Sequence, residues 1–154
     1  MALTLNGVSI PASGSVTFCG SQLNKVVLNG TTVWQKSVGG WQTLWSGTQS
    51  FTETGYLAVS GLGTDGEVRI SATVEFNMTR YDAMGGKLYE SNSTKELTAA
   101  ALPNTVQGIY ATAELIRYAD CVMFTFKPYR SEFKGDVTYE TPTKITITKV
   151  EKKL

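Results

Sequence analysis

Glu67-Val68-Arg69-Ile70-Ser71-Ala72-Thr73-Val74-Glu75-Phe76-Asn77-Met78 is the stretch that decides the fold. Val68, Ile70, Ala72, Val74, Phe76 and Met78 fall on one side of an extended chain. Glu67, Arg69, Ser71, Thr73, Glu75 and Asn77 fall on the other. A period of two with one apolar side is the pattern of a half-buried antiparallel strand. Asp65-Gly66 before it is a turn signal. Leu57-Ala58-Val59 reads as the preceding strand, joined through Gly61 to Gly66.

Working outward, the same alternation returns. Ile109, Ala111, Ala113 and Leu115 alternate from Gly108, and Val122, Phe124 and Phe126 alternate after Tyr118-Ala119-Asp120. Together they predict a long hairpin. Ala111 to Ala119 also has the composition of a short helix, and the alternation on both sides favours the strand. Ile145 and Ile147, spaced by Thr146 and Thr148, predict the last strand, ahead of a basic tail at Lys152-Lys153. Tyr81 to Asn104 reads as a long loop, because Gly85-Gly86 and Ser91-Asn92-Ser93-Thr94 are loop compositions. Six or more strands around such loops predict an all-β chain with a jelly-roll-like antiparallel β-sandwich.

Towards the N-terminus the composition changes. Residues 1–39 carry only Lys25 and Lys36 as charges, and every acidic residue lies in 40–154. Gly39-Gly40 marks the boundary, so two domains are expected: a β-hairpin module at 1–39 and the sandwich at 40–154. The module holds one hairpin signal twice, around Asn6-Gly7 and Asn29-Gly30. Asn-Gly suits a two-residue type I′ turn, whose central residues both need positive φ. Leu5 should then pair with Val8 and Leu3 with Ile10; Leu28 should pair with Thr31 and Val26 with Val33. Two small apolar hairpins make little core alone, so they need the rest of the chain or another chain.

The chemistry is sparse. The chain has no histidine, so Ser-His and Cys-His arrangements and histidine metal sites are ruled out. Cys19 and Cys121 lack the spacing of a zinc site and read as buried free thiols, with mutual pairing left open. Asp65, Glu67 and Asp82 lack the spacing of a calcium loop. Glu67 and Glu75 share a strand face but read as a solvated face beside Arg69, not as a glycosidase pair. No phosphate-binding or dinucleotide motif occurs. No catalytic residue, metal or cofactor is expected, and the protein is expected not to be an enzyme. A net charge of +1 argues against a nucleic-acid partner. No segment has the length and apolarity of a membrane span, and the N-terminus lacks the pattern of a secretory leader. The three glycosylation-type triplets at Asn29, Asn77 and Asn92 are therefore discounted.

Aromatic residues offer the remaining candidates. Trp41 and Trp45 are four apart, so on a strand they share a face. With Tyr81 and Tyr89 they form a candidate ligand-facing set, for instance a sugar-stacking platform. The alternative reading of the tryptophans is core packing.

Two stretches resemble bacteriophage virion proteins. Leu28-Asn29-Gly30-Thr31-Thr32-Val33-Trp34-Gln35-Lys36 is similar to a hairpin near the start of small phage structural proteins. Trp41-Gln42-Thr43-Leu44-Trp45-Ser46-Gly47-Thr48 resembles the opening of β-sandwich domains in phage tail-fibre and tail-tip proteins, with Gly55 to Gly61 as the following glycine-punctuated pair. The resemblance implies a non-enzymatic, tail-associated virion subunit (fibre, tip or baseplate accessory), made in the bacterial host cytoplasm. It would dock on other virion proteins and form a homo-oligomer, with a trimer favoured. Its sandwich would meet other subunits or a host-surface glycan. A capsid decoration protein and a carbohydrate-binding module are the alternatives. The residues expected to dock are Leu3, Leu5, Val8, Ile10, Val26, Leu28, Val33 and Trp34.

Overall fold

The computed structural model describes residues 3–5, 8–10, 17–18, 21–22, 25–35 and 40–154, with side chains described for Asn29, Gly30 and 40–154. The chain divides into two compact units, Met1–Gly40 with Leu154, and Trp41–Lys153. The described residues are all-β and antiparallel, with no helix.

In the first unit, β1 (Leu3–Leu5) pairs with β2 (Val8–Ile10), β3 (Thr17–Phe18) with β4 (Ser21–Gln22), and β5 (Lys25–Leu28) with β6 (Thr31–Gln35). The register of β1 and β2 is the expected one, Leu5 opposite Val8 and Leu3 opposite Ile10. Asn29 and Gly30 have φ of 47° and 78°, the two positive values of a type I′ turn. Leu28 lies opposite Thr31, but Val26 lies opposite Trp34 and not Val33. A register shift between Val26 and Val27 inserts one extra residue on β6 and moves the pairing on by one.

The second unit contains two sheets. The five-stranded sheet runs β10 (Lys87–Ala101), β9 (Val68–Tyr81), β15 (Asp136–Lys153) and β14 (Tyr129–Phe133), with β7 (Trp41–Phe51) also on β15. The four-stranded sheet runs β11 (Asn104–Gln107), β12 (Thr112–Tyr118), β13 (Cys121–Lys127) and β8 (Gly55–Ala58). The two sheets share one core. Val68, Ile70, Ala72, Val74, Phe76, Ile145, Ile147 and Val150 come from the first sheet. Leu57, Val106, Ala113, Leu115, Val122 and Phe124 come from the second. The alternation read in β9 and in the β12–β13 hairpin is thus the inner face of a sandwich. The finer jelly-roll form depends on connectivity. Here β9–β10, β11–β12, β12–β13 and β14–β15 are hairpins within one sheet, and the chain changes sheet between β7 and β8, β8 and β9, β10 and β11, and β13 and β14.

Tyr81 to Asn104 is not a loop. A tight turn, in which the Asp82 carboxylate accepts the Met84 and Gly86 amides, leads into the fifteen-residue strand β10. This strand is an edge and is exposed along most of both faces. Its Ser, Thr, Asn, Lys and Glu residues suit that position, since the ladder to β9 carries the pairing and only Leu97 packs against the core. The last strand is also longer than Ile145 to Thr148 suggested, extending back to Asp136 through Pro142. Its far edge changes partner there, from β14 (residues 136–140) to β7 (residues 145–153), with a bulge next to Pro142. A proline, which cannot donate to a ladder, is tolerated at such an interruption.

At the end of the core near Val68, the crossover from β8 to β9 is tied down by polar contacts. The Arg117 guanidinium donates to the Thr64, Asp65 and Gly66 carbonyls at 2.6–2.8 Å. The Lys152 ammonium donates to the Leu62 carbonyl at 2.9 Å. At the other end, β9, β10, β14 and β15 run on past the second sheet as an uncovered arm.

Candidate functional site

The arm begins where the second sheet stops. The β11–β12 hairpin turns at Gly108–Ala111, and beneath that turn lies Glu140, only 1% exposed. Glu140 sits opposite Met78 on the inner face of the first sheet. Its carboxylate accepts the amides of Ile109 at 2.9 Å, Ala111 at 2.6 Å and Tyr110. Burial favours the neutral acid, but the three amides, with Lys95 farther off, favour the anion more. The net effect holds the carboxyl below its ordinary value of 4.5. Gly108 permits this closeness, because a Cβ there would stand 2.6 Å from Glu140 Oε1 and 3.0 Å from the Phe76 ring. One carboxylate thus fastens the turn of one sheet to the middle of the other.

Beyond this clamp a groove of about 410 Å³ opens, lined by Met78, Arg80, Leu88, Tyr89, Tyr110 and Thr138. Pairing explains the convergence. Arg80 lies opposite both Tyr89 on β10 and Thr138 on β15, and directly paired residues project to the same side. Leu88 is the extra residue of a bulge between Lys87 and Tyr89. Tyr110 enters from the clamped turn and stacks on Tyr129, with ring centroids 4.7 Å apart and planes 21° from parallel. The Arg80 guanidinium pairs with the Asp136 carboxylate at 2.8 Å. At the tip the turns after β9 and β14 adjoin, Ala83 lying against Gly135. Met84 and Phe133 stand there 97% and 70% exposed.

The candidate aromatics do not form one set. Trp41 and Trp45 do not share a face, because a bulge at Leu44 separates them. Trp45 lies opposite the core residue Val150 and packs against the core. Trp41 lies on the outer face, with the Arg69 guanidinium 4.2 Å from its ring centre. Arg69 in turn pairs with Glu151 at 2.7 Å, and Glu151 with Lys149 at 2.8 Å. Those two hydrogen-bonded cations, Arg69 first, hold the Glu151 carboxyl below its ordinary range. Tyr81 is on the outer face of the arm, edge-on to Tyr139 at 6.2 Å. Tyr89 alone lines the groove. The side chains of Leu3, Leu5, Val8, Ile10, Val26, Leu28, Val33 and Trp34 lie outside those described, as does Cys19. Cys121 is a free thiol, half-buried, its sulfur 3.0 Å from the Tyr118 carbonyl oxygen.

The acids considered for catalysis or calcium have other partners. Asp65 pairs with Lys152, Glu67 with Lys153 and Glu75 with Lys144, while Asp82 caps its own turn. Among the described residues no three carboxylates or thiols come together as a metal site. The sequence pattern alone does not point to Arg80, Leu88, Tyr110, Thr138 or Glu140. Gly108-Ile109-Tyr110 carried a partial signal, a glycine turn ending in an aromatic residue. Comparison of the chain with protein-family models, with curated proteins and with solved structures finds no match.

Proposed function

We propose that this chain is a non-enzymatic structural subunit of a bacteriophage particle, associated with the tail. Residues 1–39 dock it to other virion proteins through Leu3, Leu5, Val8, Ile10, Val26, Leu28, Val33 and Trp34. Residues 40–154 face neighbouring copies or the host surface. Docking proceeds by burial of apolar hairpin residues and by pairing at strand edges.

One observation supports the reading beyond the sequence resemblance. The main sheet continues past its own core and carries exposed Met84, Leu88, Tyr89 and Phe133, and the β11–β12 turn at the arm's root adds exposed Ile109 and Tyr110. Six such side chains on the arm and at its root suit a surface that meets another surface.

The test is the composition of particles. Gradient-purified virions should contain the chain by mass spectrometry, and removal of residues 1–39 should leave the remainder in the unassembled fraction. A chain found only in that fraction would overturn the reading. Light scattering with sedimentation should give a trimer for the free protein.

A further inference from the structure

The groove at the arm's root is built from fixed parts, and their chemistry narrows its occupant. Tyr110 is held twice, by its stack on Tyr129 and through its amide on Glu140. Tyr89 faces the same space from β10. The Tyr110 ring, so held, presents apolar area with little ordering cost. Between them stand Arg80 and Thr138. Arg80 is a cation, but Asp136 at 2.8 Å offsets its charge. An anion would therefore find the guanidinium charge already answered by its own ion pair. A neutral polyol would meet the remaining guanidinium donors of Arg80 and the hydroxyls of Thr138, Tyr89 and Tyr110, groups of both kinds on one lining. That alternation of donors and acceptors matches groups that are themselves both donor and acceptor. The groove's size of about 410 Å³ lies within the ~300–1,000 Å³ range of small-ligand sites.

We propose that the groove lined by Met78, Arg80, Leu88, Tyr89, Tyr110 and Thr138 binds one or two units of a neutral saccharide. The inference rests on the reading of the chain as a virion subunit that faces the host, and names what it would contact there.

The experiment applies the full-length chain to immobilised neutral di- and trisaccharides of hexoses and N-acetylhexosamines. Sialylated and phosphorylated counterparts form the anionic arm. Any hit is then titrated while the tyrosine ring resonances are followed by NMR. Neutral sugars should bind, and the Tyr89 and Tyr110 rings should shift while that of Tyr118, 65% exposed and outside this groove, does not. Tyr89→Ala and Arg80→Ala should each weaken binding at least about tenfold. Tyr118→Ala should bind like the parent. No neutral binding at up to about 10 mM sugar, a range reaching very weak affinities, would overturn the proposal. So would a preference for the anionic sugars, or shifts confined to other rings. Self-association lost in the same two variants, without sugar binding, would assign the groove to a second copy and overturn it too. The ring shifts need no variant, so poor folding of a substituted chain leaves the test intact. Virions that contain the chain while the groove binds no sugar would refute the ligand alone. Sugar binding by a chain absent from virions would refute the virion reading.

Discussion

Replacing Glu140 should loosen the joint between the two sheets more than any surface change. In Glu140→Ala the amides of Ile109 and Tyr110 sit in an exposed turn and can pass to water. The amide of Ala111, a residue 1% exposed, cannot. A buried donor left without a partner costs about 1–3 kcal/mol, and two charge-assisted bonds exchanged for water cost about 1.5 kcal/mol each. The total is about 5 kcal/mol. At roughly 3–4 °C per kcal/mol for a domain of this size, the melting temperature should fall by about 15–20 °C. Glu140→Gln keeps one carbonyl acceptor and should cost about half as much. Acid gives a second readout. The fold lowers the Glu140 pKa, so the carboxylate stabilises fully above the ordinary glutamate range. That contribution is lost as pH falls through this range to the lower folded value. Asp65, Glu90 and Glu151, also lowered, are present in both proteins. The gap between parent and Glu140→Gln should therefore narrow in acid. Calorimetry at neutral pH and at about pH 3 measures both effects. A fall of under about 3 °C for Glu140→Ala, or a gap unchanged by acid, would refute the reasoning.

Other substitutions probe the remaining elements. Gly108→Ala should cost about 2 kcal/mol by chemical denaturation, since its Cβ would press on Glu140 and Phe76. Trp45→Ala should cost about 3 kcal/mol and Trp41→Ala about 1 kcal/mol or less, because the first ring packs on the core and the second covers a guanidinium; equal losses would contradict the assigned faces. Arg117→Ala removes the donors to three carbonyls of the β8–β9 crossover, and faster hydrogen exchange should appear at Thr64 to Gly66 with little change at β15.

Legibility in the sequence followed one-sided burial. β9 shows its alternation because its inner face meets the core from Val68 to Phe76 while its outer face stays polar. The β12–β13 hairpin is legible for the same reason, and Asn29-Gly30 because its turn restricts residue choice. β10 has the composition of a loop because its faces are mostly exposed, only Leu97 packing on the core, so Ser91 to Glu96 carry no periodic apolar signal. The tryptophans were placed on one face because spacing alone does not reveal a bulge such as that at Leu44. The groove escaped notice for a different reason. Arg80, Tyr89, Tyr110 and Thr138 come from three strands and a turn, and only register brings them together.

The length of β15 has a mechanical consequence. Its eighteen residues run without a turn from beside Trp41 to the arm's tip, and β9 lies along nearly all of it. At roughly 3.3 Å per residue, and with two residues taken up by bulges, this is a beam of about 50 Å. A pull on the tip along that axis would load the β9–β15 ladder in shear, so that many hydrogen bonds must yield together. A sideways pull on β10 would open its ladder one rung at a time. The molecule should therefore be stiff along the arm and weak across its polar edge, a directional strength that single-molecule stretching from different attachment points would measure.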